Sequence, residues 1–575
     1  MRAIGTASDM NGWSLGALVA LLIAAPFETR EPLLSLPGQS ISSVEMVLIA
    51  VMAGWGTAGL ATRRWPRWRT ALTAPWLALL AGLTISAVMS PVNPGNAVHM
   101  VARLAMALAI ALFAFNVVTS ERRLVAVLAA ALTLGVLVAL LVMVDTTGVP
   151  TVIAWLSHFR DSLQFVGGQV RASGPLQYPT VASMTLEILF ALGLGYLLVT
   201  VDLGSRRSAL VVAVLLVVVG QAVMLTFTRA GVLSLLASLA VAGFLRWRAQ
   251  GFDLGARLVL VLGVLVPVQA LITTPGELFW LRATSEGQAG WYDVEIDAPR
   301  SVSLATGALS TVPVTVTNTG RATLDSSLTP PFRLSYHWLL EDEDRVLVRG
   351  GARTLFPAPV SPGDSVTLNA RVYPPPEPGT YRILWDVEYE HRLWFSAEDD
   401  PSEFMITLAT VSGSAVGRLS PAQDLPPPPS RFRPGRPRLW RAAVELFADH
   451  PVLGIGPDNY RLSYGPYLNL TRFDTRTHSN NLYLEMLVGG GLLGAALFAW
   501  LLWRVGVTTL RGVNLASGAV MPGAVGGVAA AVGAIGVHGV FDAFLAATPT
   551  YVLIAITVGL VLACEGLSHV DANRV

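Results

Sequence analysis

About a dozen times along this chain a run of roughly twenty apolar residues passes almost without a charge, which is the length a helix needs to cross a bilayer. The runs lie near 13–26, 42–61, 71–90, 97–118, 124–145 and 179–200, then near 208–226, 230–246, 257–274, 482–503, 518–545 and 549–565. They are too long and too numerous to be separate soluble cores, and charged residues are only 13% of the chain, against about 25% in an ordinary soluble domain. The expected fold is therefore one all-α polytopic membrane body of about 12 helices. Residues 1–26 read as a helix rather than a cleaved signal peptide, because the basic n-region is thin and no small-residue cleavage site precedes Glu28.

Every cation in the chain is arginine, and the arginines set an orientation. Arg63, Arg64, Arg67 and Arg69 follow the second run, Arg122 and Arg123 the fourth, Arg206 and Arg207 the sixth, Arg246 and Arg248 the eighth, and Arg504 and Arg511 the tenth. Every second loop is basic and hence cytoplasmic. Both termini then lie in the cytoplasm, and the loops at 91–96, 146–178, 227–229, 275–481 and 546–548 face outward. The formal net charge of +1 is spread over short loops, which excludes nucleic acid as a partner. The single cysteine, Cys564, lies in the last run and permits neither a disulfide framework nor a cysteine-based metal site.

Within the large outward loop the periodicity changes from helical to alternating. Val312-Pro-Val-Thr-Val-Thr, Val366-Thr-Leu-Asn-Ala-Arg-Val and Tyr381-Arg-Ile-Leu-Trp-Asp-Val-Glu-Tyr read as strands between Gly, Pro and Asn turns. Their spacing predicts an inserted all-β, immunoglobulin-like sandwich over 290–412. A Pro/Arg-rich linker at 413–438 follows, stiff and unable to enter a sheet. Residues 439–449 have helical period with enough polarity to lie on the membrane surface. The expected organisation is thus 1–275 membrane helices, 290–412 sandwich, 413–438 linker, 439–481 surface helix and loop, and 482–575 the last membrane helices.

Ionisable groups at membrane depth, or at the mouth of a helix bundle, are the functional candidates, because burying them is costly. Arg171 stands in Arg171-Ala-Ser-Gly174 before the sixth run, and Arg229 in the tight turn Thr228-Arg-Ala. A helix-end arginine also simply snorkels to water, which is the bland account of Arg229. His478 enters the tenth run, where Ser479 or Asn480 is expected to cap the helix. His538 and Asp542 lie four apart and would share a helix face, and Glu187 and Arg103 are further intramembrane candidates. Glu341-Asp-Glu-Asp344 holds an Asp-x-Asp spacing but reads as a hairpin tip between two strands. No Walker loop, His-Glu-x-x-His helix or Gly-x-Ser-x-Gly elbow is present in the sequence.

Taken in order, these pieces resemble the O-antigen ligase and polymerase superfamily of membrane glycosyltransferases. Arg171-x-x-Gly174 with Pro179 resembles its arginine motif, and Phe227-Thr-Arg229-Ala-Gly231 its Ser/Thr-Arg-Gly/Ala turn. Trp440 to His450-Pro-Val-Leu-Gly-Ile-Gly456, with Tyr460, resembles its periplasmic helix and loop, and His478-Ser-Asn-Asn481-Leu-Tyr-Leu its histidine motif. Thr180 stands where many relatives have asparagine. The resemblance implies a C-type glycosyltransferase-like membrane fold and transfer of a glycan from a polyprenyl diphosphate donor to an acceptor hydroxyl, with inversion. By it, His478, Arg171 and Arg229 are catalytic, and Arg171, Arg229, Arg103, Tyr460 and Asn481 bind substrate. It implies no metal and no cofactor. The partners are the lipid-linked donor, a glycan or lipid-glycan acceptor, and the membrane.

Trp291, Trp338, Trp385 and Trp394 offer the sandwich flat faces for sugars, although core packing accounts for them as readily. Ligase, polymerase and protein O-oligosaccharyltransferase differ in acceptor, which the sequence does not separate. A lipid-linked glycan flippase is the rival of another class, and it would spread charges through the membrane depth and carry internal repeats. A sensor or scaffold reading glycans through the sandwich would not need Arg171, Arg229 and His478 together.

Overall fold

The computed structural model describes residues 13–36, 39–63, 66–160, 164–166, 169–274, 291–328, 331–341, 346–348, 350–390, 393–397, 405–414, 416, 435–468, 470 and 473–572. Asp342 to Asp344 and most of the proline-rich linker lie outside them.

The first part of the bundle is α1 (Trp13–Ala24), α2 (Ser43–Thr62), α3 (Thr73–Val88), α4 (Pro94–Val117), α5 (Glu121–Asp145), α6 (Pro150–Leu156), α7 (Pro179–Asp202), α8 (Arg206–Leu225), α9 (Arg229–Gln250) and α10 (Leu254–Thr273). After the insert come α11 (Arg436–Asp449), α12 (Leu482–Leu515), α13 (Met521–His538) and α14 (Thr548–Ala572). Among the described residues ten helices are long and apolar enough to cross a membrane, and α1 and α3 are shorter apolar helices. Polar caps start several of them. Ser42 and Glu45 form a reciprocal capping box on α2, and Asn93, Ser120 and Asp253 cap α4, α5 and α10.

Helix α7 is the axis of the bundle, packing against α5, α8, α9 and α13. It comes closest to α13 where Gly195 meets Gly527, whose added Cβ would lie 2.3 Å from the Gly195 Cα. Small residues let two membrane helices reach this contact, where dispersion replaces the missing hydrophobic drive.

Helix α13 stops at His538, short of the expected end at 545. His538 and Asp542 therefore do not share a helix face. The Asp542 backbone N–H closes the turn on the His538 carbonyl at 3.1 Å, and the imidazole turns to another helix.

The insert is two sheets on one core. The larger runs β10 (Thr354–Leu355), β8 (Phe332–Leu340), β12 (Gly379–Tyr389), β14 (Ile406–Ser412) and β6 (Ser301–Ala305), with β9 (Val346–Val348) on β8 and β13 (Leu393–Trp394) on β12. The smaller runs β11 (Ser365–Val372), β7 (Ser310–Asn318) and β5 (Val294–Asp297), all antiparallel. The expected alternation is met along β7, where Val312, Val314 and Val316 point into the core between exposed or half-buried neighbours. Trp338 and Trp385 are 1% and 0% exposed, so these two pack the core and present no face to a sugar. Trp291 and Trp394 stay half-buried.

Candidate active site

Arg171 ends a short hairpin, β3 (Gln164–Val166) and β4 (Gln169–Arg171), and is held from both sides. Its Nε donates to the Thr226 carbonyl at 3.1 Å and its Nη2 to Thr228 Oγ1 at 3.4 Å. Thr226–Thr228 is the turn between α8 and α9, sharp enough to put Phe227 at φ 50°, and Arg229 is the first residue of α9. The two arginines of the sequence motifs therefore flank one turn. Behind them Asp145, at the end of α5, accepts the Ser173 and Gly174 backbone N–H groups, both at 3.1 Å, and pairs with Arg160. Sequence reasoning missed this brace, although Asp145 opens the loop that carries Arg171 and Arg160 lies within it.

His478 lies where the loop after α11 meets α12. Its Nδ1 is 3.6 Å from Glu485 Oε1 and 3.9 Å from Asp458 Oδ1, and its side chain is 20% exposed. Burial favours the neutral imidazole, but the Glu485 carboxylate and then Asp458 outweigh it against the opposing charge of Arg461, so the pKa rises above its ordinary value. Asp458 is itself held, by Arg461 Nε at 3.0 Å and Asn96 Nδ2 at 3.1 Å. Glu485 accepts the Ser479 N–H at 2.7 Å. Nδ1 thus faces two fixed carboxylates, an arrangement that orients the ring with Nε2 on its other side.

The remaining expected site residues have structural places. Asn481, not Ser479 or Asn480, caps α12, its Oδ1 accepting from the N–H groups of Tyr483 and Leu484 at 3.0 Å each. Asn480 takes a left-handed conformation, φ 53°, which brings the loop into that cap. Tyr460 is 1% exposed, gives its hydroxyl to the Leu439 carbonyl at 2.7 Å, and stacks on Tyr464. It fastens α11, whose Leu439, Ala442, Ala443 and Leu446 form the buried face expected of an amphipathic helix. Burial raises the Tyr460 pKa, which leaves the phenol neutral. Arg103 is in another cluster, bonded to the Ala546 carbonyl and 4.0 Å from Glu45.

Two contacts join the turn after α13 to the histidine side. The Leu482 N–H donates to the Gly539 carbonyl at 2.8 Å, and Arg436 Nε to the Phe541 carbonyl at 3.2 Å. The turn after α13 therefore meets the start of α11 and the cap of α12. On its other side, His538 Nδ1 lies 2.8 Å from Glu187 Oε2 on α7.

The helix that begins at Asn481 is broken within the bundle. Gly491 has φ 61° and ψ −161°, and the loop after α11 fills the break. Ile455 and Gly456 donate to the Val488 and Gly489 carbonyls at 3.0 and 2.9 Å, and Leu492 donates to the Pro451 carbonyl at 2.8 Å. Backbone freed inside a membrane protein must be satisfied in this way.

No curated protein matches this chain. Residues 423–499 match the family model described as O-Antigen ligase, a segment that holds α11, the loop with Asp458 and His478, and the broken start of α12, while Arg171 and Arg229 lie outside it. The resemblance read from the motifs is borne out over that segment, where the chain is similar to the O-antigen ligase family.

Proposed function

We propose that this chain is an inverting glycosyltransferase of the cytoplasmic membrane, which moves a glycan from a polyprenyl diphosphate to an acceptor hydroxyl at the outer face. The observation that carries the reading is the pairing of two sites at one end of the bundle. Arg171 and Arg229 flank a single turn, and His478 stands beside Asp458 and Glu485 where its loop enters α12, whose Leu482 is bonded to Gly539 at the end of α13, the helix that packs on α9. Two guanidinium forks suit the oxygens of a diphosphate, and they stabilise the charge that grows on it as the sugar C1–oxygen bond breaks. His478 Nε2 takes the acceptor's proton as its oxygen attacks C1 from the opposite side, and a single displacement of this kind inverts the anomeric carbon.

The alternation of basic loops puts this end outside, with both termini in the cytoplasm. We read the two-sheet insert as an immunoglobulin-like sandwich that holds glycan or acceptor, with Trp291 and Trp394 as its stacking faces. Surface polysaccharide ligase or polymerase is the preferred reading, and protein O-glycosylation shares the chemistry with a different acceptor.

The test is glycan transfer from a polyprenyl diphosphate donor by purified protein in nanodiscs, without added metal or ATP. Release of free polyprenyl diphosphate is expected, falling about 10²–10⁴-fold in His478→Ala and about 10²–10³-fold in Arg229→Ala. Movement of intact lipid-linked glycan across a bilayer with no glycosyl bond broken would replace the transferase with a flippase.

A further inference from the structure

Between the arginine turn and the histidine loop lies a buried polar group that the chemistry above does not use. Glu187, in α7, is 0% exposed. Its Oε1 accepts Ser183 Oγ–H at 2.5 Å and its Oε2 meets His538 Nδ1 at 2.8 Å. His538 is also 0% exposed, and its ring stands edge-on to Phe544 at 5.9 Å. A carboxylate and an imidazole in the apolar interior of a bundle are costly to bury and are retained where they hold a geometry.

Their position says which geometry. Gly231, in the first turn of α9 two residues after Arg229, packs directly on this group. A Cβ there would lie 2.2 Å from Ser183 Oγ and 3.0 Å from Glu187 Oε1. The carboxylate thus sits against the N-terminal turn of a 22-residue helix, the end that favours a negative charge. On the other side, His538 ends α13, and the next residue, Gly539, accepts the N–H of Leu482 beside the Asn481 cap. The Tyr483 hydroxyl adds a second tie, to the Gly536 carbonyl at 2.7 Å.

We propose that Glu187 and His538 are positioning residues: their hydrogen bond joins α7, against which the first turn of the Arg229 helix packs at Gly231, to the end of α13 that holds the His478 loop, and so sets the arginine-to-histidine distance. The inference rests on the transferase reading. Neither residue touches substrate, and each acts through Arg229 or His478. A displacement of about 1 Å between reacting groups lowers turnover about a hundredfold.

The test uses the full-length protein in nanodiscs with the same donor assay. His538→Ala is expected to lower kcat about tenfold to a hundredfold with KM for the donor nearly constant. In His538→Asn the amide nitrogen replaces Nδ1 as donor to Glu187, and most of the lost kcat should return. A second pair reaches the same contact without touching the histidine. Gly231→Ala should lower kcat, and adding Ser183→Ala, which removes the nearest obstructing atom, should restore part of it. If His538→Ala does not fold, this second pair decides. Wild-type turnover with full kcat in folded His538→Ala, an equal loss of kcat in His538→Ala and His538→Asn, or no recovery in the Gly231 and Ser183 double variant would overturn the positioning role. Absence of transfer by wild type would instead overturn the transferase reading.

Discussion

Arg160 and Asp145 meet as a two-pronged ion pair, Nη1 to Oδ2 and Nη2 to Oδ1 both at 2.5 Å, with side-chain exposures of 3% and 0%. Because Asp145 Oδ2 also accepts the Ser173 and Gly174 N–H groups, the pair fixes the residues next to Arg171. Asp145→Ala would leave a buried guanidinium without its counter-charge, held only by Ser173 Oγ, and two backbone donors unpaired, which costs about 3–5 kcal/mol. Thermal unfolding in detergent should show that loss, and Arg160→Met with Asp145→Leu should unfold less readily than Asp145→Ala alone. Equal stability of Asp145→Ala and wild type would show that the brace carries no load.

As the proposed base, His478 should make the rate depend on pH in a direction that follows from its neighbours. Since Glu485 and Asp458 raise its pKa, the neutral imidazole needed as base accumulates only above the ordinary histidine range of about 6.5. The rate should therefore rise on an alkaline-shifted limb. Glu485→Gln keeps an acceptor for the Ser479 N–H but removes the charge, so burial then dominates and the limb should move to lower pH. The linked stability has the opposite sense: a raised folded pKa stabilises the protein below about 6.5, and that contribution fades as pH rises through the folded value. A limb in Glu485→Gln that coincides with wild type would remove His478 as the titrating base.

The membrane helices were legible in the sequence because they are apolar runs, α11 from its polar helical period, and the arginine turn because Phe227-Thr-Arg229-Ala-Gly231 is short and bounded by two apolar runs, whereas the seven-residue α6 was not. The strands were legible from alternation. Partnerships between distant segments were not. Nothing at Glu187 names His538 as its partner, and the i to i+4 spacing pointed instead at Asp542, until the end of α13 at His538 removed that option. Asp458 and Glu485 flank His478 through the fold of one loop, with no spacing rule that links them. The break in α12 had a local sign, the Gly489-Gly-Gly491 run inside an apolar stretch, which hydropathy alone passes over.

The four tryptophans of the insert divide by burial, which gives a test of its proposed glycan contact. Trp385 is 0% exposed in the shared core, and Trp385→Ala should destabilise the insert by about 3–5 kcal/mol, measured as earlier proteolysis of the insert on heating. Trp394 is half-buried, 4.5 Å from the His337 ring and 5.3 Å beneath the Arg353 guanidinium. Trp394→Ala should cost about 0.5–1 kcal/mol of stability and weaken retention of the polysaccharide product by the full-length protein. Unchanged retention would confine Trp394 to packing.

Gly491 shows how a backbone break can reach the proposed base. A side chain there would be strained at φ 61°, by about 1–2 kcal/mol, and its Cβ would lie 2.4 Å from the Val452 carbonyl carbon and 2.6 Å from the Gly454 nitrogen. Gly491→Ala must therefore push the Pro451–Gly456 backbone out of the break, taking the loop's N–H donors from the Val488 and Gly489 carbonyls and leaving the latter to Ser86 Oγ. Asp458 follows two residues after Gly456, so displacement of this loop also shifts the carboxylate beside His478. Turnover should fall at least about tenfold, and the loop should become a new site of limited proteolysis. Gly494→Ala is the control on the same helix, since its Cβ would press on the flexible Leu83 side chain at 3.1 Å and otherwise meet the Met486 carbonyl at an ordinary 3.8 Å, and it should keep near wild-type turnover. Wild-type turnover in Gly491→Ala would mean that the loop finds its place without the break, and the line from Gly491 through Asp458 to His478 would be abandoned.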